Sequence, residues 1–208
     1  MSETTTPDLL SIAPVIPVVV IEEIEHAVPV AKALVEGGLP VIELTLRTPV
    51  ALEAMRAISA EVPEIILGAG TVTTPELAKA SAAAGASFLV SPGATPKLLD
   101  GMFETELPFL PGTATVSEVL AVLEAGITSM KFFPAAAIGG ATFLASLPTV
   151  VPTARFCPTG GIRTTNARTY LDLPNVGCVG GTWITPADAL AAGDWDRIRD
   201  LAAEAAAL

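Results

Sequence analysis

The sequence predicts an α/β fold, a compact (β/α)8 TIM barrel with a short N-terminal helix. Short apolar runs, several of them rich in Val and Ile, alternate with Ala-rich stretches along the whole chain. Eight such runs occur at intervals of roughly 20–25 residues, and each is followed by a helix candidate. Continuous apolar strands joined by helices indicate a parallel sheet that the helices cover. Eight units in 208 residues fit one small barrel domain, and a doubly wound open sheet is the alternative.

The elements follow in order from the same signals. Strands are expected to begin near Val15, Val41, Ile65, Phe88, Pro108, Ser129, Ala154 and Val176. Helix candidates include residues 27–36, 75–84, 116–125 and 186–207. Leu9 and Leu10 are expected to form the short helix and to cover one mouth of the barrel, after a flexible leader over residues 1–8. No linker or change in composition marks a second domain.

The composition excludes several classes of protein. With 51% hydrophobic and 16% charged residues, the chain is not globally disordered. A net charge of −11 argues against nucleic acid and anionic membranes as partners, because both select basic surfaces. The acidic leader is unlike a signal peptide, and prolines and glycines interrupt the uncharged segment 132–154, so no spanning helix is expected.

A cytoplasmic location is therefore expected. Cys157 and Cys178 both lie in apolar runs, where reduced core thiols are the usual state in a cytoplasmic protein. A disulfide between these two cysteines is the alternative.

Lys131 is the most informative single residue. It lies in a short apolar run that ends at Pro134, whereas the other three lysines lie in stretches of helical character. Burial disfavours the charged form of a lysine, and a neutral amine attacks ketones to form a Schiff base. Barrels collect their functional residues at the C-terminal ends of the strands, where Lys131 falls. The residue is either such a nucleophile or an ion-paired lysine of the core.

Three polar residues alternate along the second strand candidate. The strand period of two places Glu43, Thr45 and Arg47 on one face. Glu43 is a candidate proton shuttle, and Arg47 is a candidate clamp for a substrate carboxylate. A purely structural ion pair between Glu43 and Arg47 is the other interpretation.

Paired glycines close the last two strand candidates, in residues 159–161 (Thr-Gly-Gly) and 180–182 (Gly-Gly-Thr). Glycine lets backbone N–H groups approach an anion closely, and the last two strand–helix loops of these barrels frequently bind phosphate. We expect a phosphate site here, although a glycine pair also serves as a plain tight turn. Arg163 either adds charge to this site or is simply solvated.

Metal and nucleotide chemistry are not expected. His26 is the only histidine, and it lies in a run of glutamates typical of a solvated helix start. Without a second histidine or a closely spaced cysteine pair, a zinc site has no obvious ligands. Residues 68–70 (Gly-Ala-Gly) lack the third glycine of a dinucleotide-binding loop.

Several motifs together resemble the KDPG/KHG aldolase family, class I aldolases that act on 2-dehydro-3-deoxy-phosphogluconate (KDPG). The resemblance runs from about Ala13 to Pro186. Its motifs are PVIPV (14–18), ELTLRT (43–48), GAGTV (68–72), VSPG (90–93), KFFP (131–134) and FCPTGGI (156–162). The family implies a TIM barrel, usually a homotrimer, without a metal or organic cofactor. It also implies a phosphorylated 2-keto-3-deoxy sugar acid as substrate, with pyruvate and glyceraldehyde 3-phosphate as products.

The resemblance implies a role for each matching residue. Lys131 matches the Schiff-base lysine and Glu43 matches the general acid/base. Arg47 and Thr71 match residues that hold the pyruvate carboxylate. The other matches are Pro92 and Phe133 in the pocket wall, and Gly160, Gly161, Gly181 and Thr182 in the phosphate site. Thr159 is a possible contact to the sugar chain.

Two positions depart from the family pattern. Thr182 stands where serine is more frequent, and Ala136 stands where an acidic residue usually follows the KFFP motif. The expected reaction is cleavage of KDPG in the Entner–Doudoroff pathway. The alternatives are aldolase activity on 4-hydroxy-2-oxoglutarate or on the galactonate-derived epimer and, in a different class, a catalytically silent phosphate-binding barrel.

Overall fold

Strands and helices alternate through residues 8–208, the range that this computed structural model describes. The predicted α/β fold is therefore confirmed. Residues 1–7 of the leader, which was expected to be flexible, lie outside the described range, and only its last residue, Asp8, lies inside it. Within residues 8–208, no helix is both long enough and apolar enough to cross a bilayer.

Nine short strands occur in the described range, and every pair of neighbouring strands is parallel. They are β1 (Val15–Val19), β2 (Val41–Thr45), β3 (Ile66–Gly70), β4 (Phe88–Val90), β5 (Phe109–Leu110), β6 (Gly112–Thr113), β7 (Ser129–Phe132), β8 (Arg155–Pro158) and β9 (Val179–Gly181). Each predicted strand has a counterpart, and the one expected near Pro108 is divided into β5 and β6.

Pro111 causes that division. The chain pairs with β4 up to Leu110, and from Gly112 onward it pairs with β7. Proline has no N–H to donate to a neighbouring strand, so the ladder is interrupted at this residue. The carbonyl of Pro111 still accepts a hydrogen bond from the Lys131 N–H at 3.0 Å. The split therefore lies directly beside the lysine singled out above.

The strands form two sheets in which neighbours are consecutive along the chain, except that β1 pairs with β9. One sheet runs β5-β4-β3-β2-β1-β9 and the other runs β6-β7-β8. Isolated bridges between Phe156 and Val176 and between Thr159 and Gly180 connect the β8 segment to the β9 segment. A doubly wound sheet reverses its strand order at a switch point, and the consecutive order seen here differs from that arrangement.

Nine α-helices follow the strands within the described range. They are α1 (Ala27–Glu36), α2 (Ala51–Glu61), α3 (Pro75–Ala83), α4 (Pro96–Phe103), α5 (Val116–Glu124), α6 (Gly140–Ser146), α7 (Thr164–Leu171), α8 (Ala187–Ala192) and α9 (Trp195–Ala206). The starts of α3, α4 and α5 have a local cause, because a threonine side chain accepts a hydrogen bond from a first-turn N–H in each.

The prediction of a single helix over residues 186–207 is wrong, because two helices, α8 and α9, occupy this segment. Gly193 adopts a φ of +64°, the left-handed conformation that commonly ends a helix, and so closes α8. The Asp194 side chain then accepts a hydrogen bond from the Arg197 N–H at 3.2 Å and begins α9.

The strands bury apolar side chains on both faces. One face packs against the helices, and the other forms a smaller interior cluster. That cluster contains Ile16, Val41, Phe88, Val90, Leu110, Cys157 and Cys178. Leu9 and Leu10 pack onto the same cluster from a single 3₁₀ turn (Leu9–Ser11), which is the expected N-terminal helix. Both cysteines are free and buried, as expected.

Candidate active site

Lys131 and Glu43 meet in the buried interior. Lys131 lies on β7 and Glu43 on β2, 88 residues apart in the chain. The Lys131 Nζ is 3.0 Å from Glu43 Oε1, and the two residues are only 4% and 2% exposed. This distance fits an ion pair, and it equally suits proton transfer between an amine and a carboxyl group. The two strongest sequence candidates are therefore brought together.

Gly70 at the end of β3 makes room for the Glu43 side chain. A Cβ atom at Gly70 would lie 2.3 Å from Glu43 Oε1 and 2.8 Å from its carboxyl carbon. Real side chains do not approach so closely, so any larger residue would displace the carboxylate. Sequence reasoning placed Gly70 in the GAGTV motif of the family but missed this role, because the contact with Glu43 is made across two strands.

The backbone of Lys131 is fixed from the neighbouring strand. The Thr113 hydroxyl, on buried β6, donates a hydrogen bond to the Lys131 carbonyl at 3.2 Å. Lys131 itself is the register partner of Gly112 on one side and Cys157 on the other. Thr113 was also missed, because its hydrogen bond to the lysine carbonyl follows from the pairing of β6 with β7 and not from local sequence.

Two of the predicted pocket residues adjoin the lysine. The Lys131 Nζ lies 5.3 Å from the centre of the Phe133 ring, close enough for a cation–π contact. Pro92 lies across from Gly112, where a Cβ would come within 2.4 Å of the Pro92 carbonyl oxygen. Since Gly112 pairs with Lys131, the loop at Pro92 reaches the same region of the site.

Arg47 and Thr71 form a separate polar pair. The Arg47 Nε donates to the Thr71 hydroxyl at 3.1 Å, and the guanidinium is exposed. Thr71 has a φ of +61°, a strained conformation for a β-branched residue, and strain of this kind is often found at functional sites. Strand β2 ends at Thr45, so the strand period does not extend to Arg47 as expected. The Thr45 hydroxyl instead donates to the Val19 carbonyl at 3.0 Å.

The first glycine pair forms a tight turn against the chain after β7. Gly160 and Gly161 have φ values of +100° and +75°, which glycine adopts without strain. The Ala136 N–H donates to the Gly160 carbonyl at 3.0 Å. A Cβ at Gly161 would lie 2.5 Å from the Ala136 methyl group. The departure at Ala136 therefore lies directly beside the predicted phosphate turn.

The second glycine pair has a different local role. At Gly181, a Cβ would lie 2.1 Å from the Trp183 ring, so the missing side chain admits the indole. Thr182 is exposed beside it. At Gly180, a Cβ would lie 2.2 Å from the Thr159 hydroxyl oxygen. Thr159 is buried, and its hydroxyl donates to the Cys157 carbonyl at a long 3.4 Å.

The described range offers no metal site. Among residues 8–208, no three His, Cys, Asp or Glu side chains are grouped so that they could hold a metal ion. His26 lies 3.9 Å from the Glu23 carboxylate and packs edge-on against Trp195. The functional groups of the site are therefore an amine, a carboxyl group and nearby hydrogen-bond donors.

Comparison with known proteins gives a consistent result. The family model of KDPG and KHG aldolases matches residues 7–201. A 2-dehydro-3-deoxy-phosphogluconate aldolase of Dickeya dadantii is 52% identical over 205 residues, which are 99% of this chain and 96% of the relative. A KHG/KDPG aldolase of Escherichia coli K12 is 50% identical over 203 residues, covering 98% of this chain and 95% of the relative.

Solved structures agree with these matches. A KDPG aldolase from Legionella pneumophila, captured with pyruvate as a covalent carbinolamine intermediate, superposes with a TM-score of 0.93 and 47% identity. The match covers 95% of this chain and 96% of that one. A Zymomonas mobilis aldolase with 3-phosphoglycerate gives a TM-score of 0.89 at 46% identity, over 95% and 93% of the two chains. The chain belongs to the KDPG and KHG aldolase family.

Proposed function

We propose that this chain is a class I aldolase that cleaves KDPG into pyruvate and D-glyceraldehyde 3-phosphate, as a step of the Entner–Doudoroff pathway. The observation that carries the proposal is the buried contact of 3.0 Å between Lys131 Nζ and Glu43 Oε1. It supplies a nucleophile and a proton-transfer group within hydrogen-bond reach of each other. Membership of the aldolase family supports the substrate.

The reaction begins at Lys131. Its neutral amine attacks the C2 ketone of KDPG, and Glu43 moves protons as the carbinolamine loses water to give an iminium. The cationic iminium accepts the electron pair of the breaking C3–C4 bond, so the product is a neutral enamine and not a carbanion. Glu43 takes the proton of the C4 hydroxyl as glyceraldehyde 3-phosphate leaves. Protonation of the enamine at C3 and hydrolysis of the imine then release pyruvate.

The remaining site residues hold the two ends of the substrate. In this proposal, Arg47 and Thr71 bind the pyruvate carboxylate, and Pro92 and Phe133 line the pocket around the imine. The phosphate is bound at the two glycine turns, by these four residues: Gly160, Gly161, Gly181 and Thr182. Thr159 contacts the sugar chain. No metal or organic cofactor takes part.

We also propose the larger arrangement of the protein. The two sheets are parts of one closed (β/α)8 barrel that forms a single domain, and β5 and β6 are the two halves of its fifth strand. The bridge between Thr159 and Gly180 supports closure between the last two strands. The protein acts as a homotrimer in the cytoplasm, without a nucleic acid or membrane partner.

A second candidate activity is cleavage of 4-hydroxy-2-oxoglutarate. The relative from Escherichia coli K12, named KHG/KDPG aldolase and 50% identical to this chain, is the observation in its favour. This substrate carries no phosphate and therefore gains nothing from the glycine pairs. A kcat/KM at least as high as that for KDPG would make it the main activity.

The test is release of pyruvate from KDPG, followed with lactate dehydrogenase. We expect turnover by the unchanged protein and its loss in Lys131→Ala. Thr182→Ala is the companion variant, and it should raise the KM for KDPG while leaving that for 4-hydroxy-2-oxoglutarate unchanged. Substantial KDPG cleavage by Lys131→Ala would overturn the mechanism.

A further inference from the structure

A cavity of about 470 Å³ opens beside the predicted phosphate site, between the segment after β1 and the segment after β9. Its volume lies within the range of about 300–1,000 Å³ that is typical of small-molecule sites. Thr182 belongs to its lining, as do Val18 and Trp183. Val18 is the register partner of Glu43, so the cavity begins one strand away from the catalytic carboxyl group.

The cavity wall is mainly apolar. Val18 and Val20 line one side, and Leu190 of α8 lines another. The Trp183 ring adds an aromatic surface, and its position depends on Gly181, where a Cβ would lie 2.1 Å from the ring. An aromatic ring in the ligand would bury apolar area here and could stack on the indole.

The charges around the cavity select against anions. Glu22 and Glu23 belong to the lining, together with His26, and the lining contains no lysine or arginine. Glu22 makes no salt bridge with any residue of the described range, whereas the Glu23 carboxylate lies 3.9 Å from His26. A second phosphate or carboxylate would be repelled here, whereas an ammonium group would be attracted.

We propose that this cavity is a second ligand site, which binds arylalkyl ammonium compounds with the ring on Trp183 and the ammonium towards Glu22. Because Thr182 lines the cavity and is also assigned to the phosphate, the occupant competes with the phosphorylated half of KDPG. Only this competition rests on the proposed function. The binding itself follows from the shape, the aromatic wall and the charge of the cavity.

The binding test uses 2-phenylethylammonium as the probe. The chain has two tryptophans, so the Trp195→Phe variant leaves Trp183 as the sole reporter of fluorescence. We expect a saturable change in the emission of Trp183 on adding the ammonium compound. The affinity for 3-phenylpropionate, which has a similar shape but the opposite charge, should be lower by roughly tenfold or more. Equal affinity for the two probes, or no change in fluorescence with the ammonium compound, would overturn the proposal.

Neighbouring alanines of α8 provide a matched pair of variants in this background. Ala191 is exposed and lines the cavity, whereas Ala192 is exposed and does not. Ala191→Phe should fill the cavity and abolish the fluorescence response, and Ala192→Phe should leave it intact. Unaltered binding in Ala191→Phe would contradict the location. A change of assembly mass in Ala191→Phe alone would identify the cavity as an interface between copies, which also overturns the proposal.

Competition is measured separately, with the natural tryptophans present. The ammonium probe should raise the KM for KDPG and leave kcat unchanged, since it occupies only the phosphate end. An unchanged KM at a saturating probe concentration would overturn the competition. If the protein binds the ammonium probe but does not cleave KDPG, the proposed function is wrong and the ligand site is still supported.

Discussion

The position of the Glu43 carboxyl group depends on an absent side chain. Gly70, on the strand next to Glu43, leaves the space in which the carboxyl group reaches the Lys131 amine at 3.0 Å. Catalytic groups must be held closely in place, since an error of about 1 Å can lower a rate on the order of 10²-fold. In the proposed mechanism, the glycine therefore acts through the position of Glu43.

Replacing Gly70 by alanine should lower kcat on the order of 10²-fold, because the new methyl group displaces the Glu43 carboxyl group. Steady-state kinetics with KDPG measure the effect. The matched control is Gly93→Ala, since a Cβ at Gly93 meets nothing within 4 Å. Equal kinetics for the two alanine variants would mean that Glu43 is not held by this space.

Glu43→Gln should reduce kcat roughly 10²–10⁴-fold, because glutamine keeps the shape of the side chain but cannot transfer protons. The folded structure should persist, as judged by circular dichroism and thermal unfolding. An unchanged kcat would reduce Glu43 to a structural partner of Lys131.

Individual site residues could be predicted from the sequence where a side chain was chemically unusual among its neighbours. Lys131 and Glu43 stood out because charged side chains are rare in apolar strands, Arg47 became a candidate from the pattern of the same predicted strand as Glu43, and family resemblance added Thr71. Gly70 and Thr113 were not found. Their roles depend on which residues of the neighbouring strand they contact, and those contacts cannot be read from the local sequence.

Among the elements, the 3₁₀ turn Leu9–Ser11 closes the end of the interior cluster. Leu10 is 1% exposed and packs beside Gly177, where a Cβ would lie 2.7 Å from the Leu10 Cβ. The Asp8 side chain caps the turn by accepting a hydrogen bond from the Leu10 N–H at 3.1 Å. The turn is thus a structural part of the fold, and neither Lys131 nor Glu43 belongs to the cluster that it covers.

Leu10→Ala should lower the free energy of unfolding by about 2–5 kcal/mol, because it leaves a cavity in a packed interior. Denaturant titration measures the change. Val150→Ala is the control, since Val150 is 61% exposed and its truncation should alter stability by no more than about 0.5 kcal/mol. Equal effects at the two positions would show that the turn does not pack as described.

The interior thiols give a second prediction for the elements. The interaction of the Cys178 thiol with the Cys157 side chain and the complete burial of Cys178 both raise the pKa of the Cys178 thiol well above its ordinary value. Thiolate is the reactive form, so native protein at pH 8 should not react with a disulfide reagent, whereas unfolded protein should release two equivalents. Rapid labelling of the native protein would show that this end of the interior is open.

Element boundaries were predictable where a local signal exists. The strand starts followed from short apolar runs, and helices α3 to α5 begin at capping threonines. The break between α8 and α9 was missed, although Gly193 and Asp194 form a recognisable stop and start. The division of the fifth predicted strand was also missed, because the change of partner at Pro111 requires the tertiary arrangement.

For the whole molecule, the strand order explains why residues distant in sequence form one site. Parallel pairing aligns the C-terminal ends of the strands, and the contact between Lys131 and Glu43 joins residues 88 positions apart. The strand–helix rhythm made this arrangement predictable from the sequence. The cavity beside Thr182 was not predictable, since its lining comes from segments that pair only after folding.

The central claim is that Lys131 is a Schiff-base nucleophile, and borohydride reduction in the presence of pyruvate tests it most directly. Reduction traps an imine as a stable secondary amine, and peptide mass mapping then locates the adduct. Lys97, an exposed lysine elsewhere on the protein, serves as the internal comparison. We predict a reduced pyruvyl adduct on Lys131 alone. A folded protein that forms no adduct at saturating pyruvate, or forms it equally on Lys97, would contradict the account.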